Sequence, residues 1–108
     1  MKDNIQVLNN DNFDMITNQE KVSLVDFWAT WCPPCRMLSP IIDELAAEKG
    51  EEYNICKVNV DESGEIAQRF SVMSIPTLLV FKNGALLEQL VGVKPKVQLL
   101  AVLEKHAG

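Results

Sequence analysis

The chain carries 108 residues, a net charge of −5 and 47% hydrophobic residues, the balance of an ordinary soluble protein. A single domain of this length buries a core without metal or disulfide staples. An acidic chain with no Lys/Arg run argues against nucleic-acid binding, and no segment approaches the roughly 20 apolar residues that span a bilayer.

Residues 1–5 lead into no apolar stretch of signal length, so a cytoplasmic protein is expected. Residues 5–8 read as a short strand. Residues 10–17 read as a short helix, with Asn10 or Asp11 as cap and Phe13 and Ile16 on one face. Residues 23–29 are almost continuously apolar, the pattern of a strand covered on both faces. Residues 33–49 follow as a helix: Leu38, Ile41, Ile42 and Leu45 repeat at helical spacing, and Gly50 is placed to end it. Pro40 should kink that helix, because it removes a ladder hydrogen bond. Residues 55–60 form the next strand, and Ser63 caps a short helix carrying Ile66 and Phe70. Residues 77–81 and 86–91 flank Asn83-Gly84, a strong hairpin signal. Pro95 suits a helix start, and residues 97–105 complete an amphipathic helix. The order βαβαβαββα implies a mainly parallel sheet with helices on both faces and a final antiparallel hairpin.

The chemistry concentrates at Trp31-Cys32-Pro33-Pro34-Cys35, where a strand ends and a helix begins. Residues three apart on a helix share a face, and a Cα separation of roughly 5–6 Å suits a disulfide. The amino end of a helix favours a thiolate over a thiol, and only a thiolate exchanges disulfides. Cys32, nearer the end, should be the exposed attacker and Cys35 the resolving thiol. One alternative is a zinc knuckle, but only Cys56 and the near-terminal His106 remain as further ligands, without knuckle spacing. Two inert buried cysteines are a second alternative, against which Trp31 and the double proline argue.

The chain resembles the thioredoxin family over essentially its whole length. The resemblance rests on Val25-Asp26-Phe27-Trp28-Ala29, Trp31-Cys32-x-Pro34-Cys35, Pro40, Lys57, Asp61, Ile75-Pro76-Thr77, Phe81-Lys82-Asn83-Gly84 and Gly92, in order and at family spacing. It implies an α/β thioredoxin fold, a five-stranded mixed central sheet flanked by four helices. It implies a monomer that reduces disulfide-containing protein substrates and binds no cofactor or metal. Its electrons would come from NADPH through thioredoxin reductase. Asp26, desolvated in an apolar strand, should have a raised pKa and by resemblance serves Cys35 as a proton acceptor. Lys57 lies near Asp26 by the same analogy, with a solvated strand-end lysine as the alternative. Pro76 resembles the family's cis-proline. In that form it places the backbone of Ile75 beside Cys32, with Trp31, Ile75, Pro76, Val91, Gly92 and Val93 as an apolar substrate rim. Val91 and Val93 also fit as plain strand and core residues. Trp28 is expected to pack beneath the site, Cys56 to be a buried free thiol and His106 to be solvated. Met73 and Ser74 precede the proline loop and are candidates for substrate contact.

Pro33 departs from the family's usual Gly-Pro dipeptide. With Pro34 it fits a first helical turn, but it deletes an N–H that a thiolate at the helix end would use. Both prolines are therefore candidates for redox tuning. The departure also raises two other readings: a specialised thioredoxin-like reductase, such as one serving cytochrome c maturation, and a thioredoxin-like binding or chaperone module.

Overall fold

The apolar run that starts at Ser23 becomes the central strand of the sheet in the computed structural model, which describes residues 4–108. Residues 1–3, part of the segment that carries the cytoplasmic expectation, lie outside the described residues. In chain order the elements are β1 (Ile5–Val7), α1 (Phe13–Thr17), β2 (Ser23–Trp28), α2 (Pro33–Lys49), β3 (Asn54–Asn59), α3 (Gly64–Arg69), β4 (Thr77–Lys82), β5 (Ala85–Val91) and α4 (Lys96–Ala107). The strands lie in the order β1-β3-β2-β4-β5. β3 runs parallel to both β1 and β2, while β4 and β5 are antiparallel. This is the expected mixed sheet of five strands with four helices.

Strand periodicity sorts the core into two layers. Leu24, Ile55, Leu78 and Val80 point to one face, where they meet Leu38, Ile42 and Leu45 of α2 and Leu99 and Leu103 of α4. Val25, Phe27, Cys56, Val58 and Leu79 point to the other, against Phe13 of α1 and Ile66 and Ala67 of α3. There Phe13, Phe70 and Phe81 form a mutually contacting aromatic trio with centroids 5.2–5.5 Å apart. Each fully buried Leu or Ile side chain contributes about 1.5–3 kcal/mol of transfer free energy. Truncating one to Ala on the α2 seam costs about 2–5 kcal/mol.

Local chemistry explains where the elements begin and end. α1 starts at Phe13, later than residue 10, and its N-cap is Asn12 rather than Asn10 or Asp11. The Asn9 side chain accepts the N–H groups of Asp11 (2.9 Å) and Asn12 (3.1 Å), a turn that competes with the helix for those donors. Ser63 occupies the N-cap of α3, but its side chain makes no capping bond. α2 continues through Pro40 to Lys49. Gly50 ends α2 with an ordinary right-handed φ of −64° rather than a left-handed one. It is needed for close approach instead, because a Cβ there would collide with the Ala46 carbonyl and the Asn4 side chain. Asn83 and Gly84 both adopt positive φ (53° and 81°), as the hairpin signal predicts.

His106 departs from its expected solvated state. Its Nε2 lies 2.6 Å from Glu88 Oε2, and its backbone carbonyl accepts a hydrogen bond from Lys82 Nζ at 3.0 Å. The end of α4 therefore docks on the β4–β5 hairpin, which takes the imidazole out of bulk water. Among the described residues no helix is long and apolar enough to cross a membrane.

Candidate active site

Cys32 is the N-cap of α2 in extended backbone conformation, and Pro33 and Pro34 fill the first two helical positions. Their missing N–H groups belong to the set that has no intrahelical partner. A disulfide joins Cys32 to Cys35, with Cα atoms 5.3 Å apart, within the span that the spacing predicts. The first turn offers the Cys32 sulfur one amide, the Cys35 N–H, at 3.2 Å from Sγ. The next amide, Arg36 N–H, goes instead to the Cys32 carbonyl at 3.2 Å. Among the described residues no group of three or more His, Cys, Asp or Glu could hold a metal ion, so the zinc alternative finds no ligand set.

Burial corrects one expectation. Cys32 is not the more exposed thiol: in the disulfide both cysteines are 3% accessible. They form a small cluster with Ala29, against which Trp28, Val60 and Ile75 pack. The Ile75-Pro76 bond is cis, and the Ile75 carbonyl oxygen lies 3.6 Å from Cys32 Sγ. Gly92 N–H donates to the Pro76 carbonyl at 2.8 Å, which ties this loop to the end of β5. Gly92 has φ 95°, a left-handed conformation that favours glycine. Val91 and Val93 on either side of it are 50% and 36% exposed, so they are surface rather than core residues.

Trp31 is exposed. Its indole N–H donates to Asp61 Oδ2 at 2.9 Å. Asp61 is itself fixed by the Asn59 side chain, which accepts its backbone N–H at 2.9 Å. Met73 projects fully into solvent beside the proline loop, at 91% exposure.

Asp26 is 1% accessible in β2, the strand that leads to the cysteine pair. Burial pushes its carboxyl up to about 7, against a smaller opposing pull from the Lys57 charge. Its Oδ1 is buried without a hydrogen-bond partner. Lys57 stands directly across from Asp26 in the parallel register of β2 and β3. It is half-buried rather than solvated: Nζ donates to Ser39 Oγ at 3.2 Å and lies 5.2 Å from the centroid of the Trp28 ring. Trp28, Cys35, Arg36, Ser39 and Lys57 line a cavity of about 240 Å³. A larger cavity, about 330 Å³, lies away from the thiols beside Phe13, Phe70 and Phe81. The Arg69 guanidinium in its wall is already committed to Asp14.

Sequence reasoning assigned no role to Ser39, Val60 or Asp61. Ser39 had a legible signal, since it follows Cys35 by one helical turn and so shares its face. The other two reach the site by tertiary contact.

The model of the thioredoxin family matches residues 4–105. The thioredoxin of Staphylococcus saprophyticus is 52% identical over 88 residues, covering 82% of this chain and 85% of that protein. The thioredoxin of Staphylococcus haemolyticus is 50% identical over 95 residues, covering 88% and 90%. The crystal structure of Malassezia sympodialis thioredoxin superposes with a TM-score of 0.87 at 36% identity, covering 96% of this chain and 91% of that one. These relatives do not favour the binding-module or specialised-reductase readings. With a cysteine pair closed into a disulfide at the head of α2, this chain belongs to the thioredoxin family of thiol–disulfide oxidoreductases.

Proposed function

We propose that the chain reduces protein disulfides as a single-domain cytoplasmic monomer, with Cys32 attacking and Cys35 resolving. The observation that carries this reading is the position of Cys32 Sγ, at the amino end of α2 and beside the Ile75 carbonyl. In the dithiol form, the Cys35 amide and the α2 amino end stabilise a Cys32 thiolate. That thiolate attacks one sulfur of a substrate disulfide. A mixed disulfide forms, and the other substrate sulfur leaves as a thiolate that takes a proton. Asp26, whose carboxyl is pushed up to about 7 and so is partly ionised near neutral pH, accepts the Cys35 proton in its ionised form. The Cys35 thiolate then attacks Cys32 Sγ, the Cys32–Cys35 disulfide closes and the second substrate thiol departs. Lys57 holds a positive charge in register with the carboxylate that takes this proton.

The substrate segment lies along the backbone of Ile75 and Pro76, flanked by Trp31, Val91, Gly92 and Val93. Backbone pairing and flat apolar contact there accept many sequences. The Asp61 bond keeps the Trp31 indole in place as one wall of this surface. Pro33 and Pro34 set the number of amides that face the Cys32 sulfur and so tune its acidity.

Electrons return from NADPH through thioredoxin reductase, with no cofactor bound to this chain. Turnover in that coupled system tests the reading. NADPH oxidation should depend on both this protein and a disulfide substrate such as insulin. Absence of NADPH consumption with an active reductase would remove the proposed electron source.

A further inference from the structure

Lys57 and Asp26 carry opposite charges, stand in register on neighbouring strands and point to the same face of the sheet. In such apolar surroundings a close pair would satisfy both groups. The two do not pair: Asp26 Oδ1 has no partner, while the Lys57 ammonium is drawn onto the Ser39 hydroxyl and the Trp28 ring. Ser39 lies one turn after Cys35 on α2, and Ser39, Lys57 and Cys35 line the same cavity of about 240 Å³.

We propose that Ser39 is a positioning residue for proton transfer at Cys35, its hydroxyl holding the Lys57 ammonium at the cavity and away from Asp26. The proposal rests on Asp26 serving as the proton acceptor. A carboxylate in direct contact with an ammonium is a weaker base. With the ammonium held on Ser39, its attraction acts on Asp26 only at longer range. α2 brings Cys35 and Arg36 to the same cavity as Lys57 and Ser39, and the Arg36 guanidinium is turned to the Thr30 carbonyl at 2.8 Å. β4 presents Leu78 in register, and α4 packs the apolar Leu99 and Leu103 on this face.

The test follows Asp26 directly by carboxyl carbon NMR titration of the reduced protein, together with the pH dependence of insulin-disulfide reduction. Ser39 is partly exposed on a helix, so alanine preserves the fold. Ser39→Ala should move both midpoints to lower pH by about 0.5 unit or more, because the freed ammonium reaches the carboxylate. Ser39→Thr retains the hydroxyl and should titrate as the wild type. An Asp26 midpoint unmoved in Ser39→Ala, or moved equally in Ser39→Thr, overturns the role of Ser39 alone. An Asp26→Asn variant that keeps the wild-type rate profile overturns the proton-acceptor reading, and the Ser39 proposal with it.

Discussion

Cys35 and Cys56 are both almost fully buried, at 3% and 0% accessibility, yet they occupy chemically opposite surroundings. Cys35 lies in the first turn of α2, bonded to Cys32 and lining a cavity that also holds a lysine and a serine. Cys56 lies at mid-strand among Leu8, Val25 and Phe27, where burial pushes its thiol up to about 12. Burial alone therefore does not decide reactivity. Cys35 has a helix end, a partner sulfur and an adjoining cavity with Lys57 and Ser39, and Cys56 on the opposite face of the same sheet has none of these.

The largest expected effect separates these two regions outright. Cys32→Ser should lower insulin-disulfide reduction by about a hundredfold or more, while Cys56→Ala should stay within about twofold of wild type. A comparable loss in Cys56→Ala would mean that the buried thiol takes part.

Asp26→Asn sharpens the contrast on the reactive side. It should slow reduction at neutral pH by about tenfold, through loss of the proton acceptor. It should also stabilise the protein, with a definite pH dependence. The folded carboxyl titrates at about 7 against an ordinary 3.8, so the folded state keeps a proton that the unfolded chain has released between those values. Wild-type stability therefore falls as pH rises through that window and levels off above it. The gain from Asn should be small near pH 4 and reach at most about 4 kcal/mol above pH 7. Urea denaturation at the two pH values checks this, and equal gains at both would contradict a raised Asp26 pKa.

Pro33→Gly is the subtlest. Glycine returns one amide to the first turn of α2, which now offers Cys32 Sγ only the Cys35 N–H. The Cys32 thiol pKa should fall by about 0.3–1 unit, read from thiolate absorbance. Identical titrations would show that the missing donor is immaterial.

Much of this arrangement is legible in the amino-acid sequence because it is local. The apolar run of β2, the Asn83-Gly84 turn and the spacing of Cys32 and Cys35 each encode geometry within a few residues. The family pattern adds Asp26 and the Ile75-Pro76 loop. What stayed hidden depends on the order of the strands. The indole of Trp31 reaches Asp61 across 30 positions, and Lys57 reaches Ser39 across 18. Both contacts exist because β3 lies beside β2 and under α2. The closed Cys32 was hidden for the same reason, since Ile75 arrives over it from a distant loop. Errors at the start of α1 had a shorter range: the Asn9 side chain takes amides that the sequence pattern had assigned to a helix.

The central claim is that Cys32 makes the covalent attack and Cys35 releases it. Cys35→Ser, incubated with a disulfide substrate such as insulin, tests this most directly by mass spectrometry. A mixed disulfide on Cys32 that dithiothreitol reverses is the predicted result. No adduct, or an adduct carried by Cys56, would contradict the assignment.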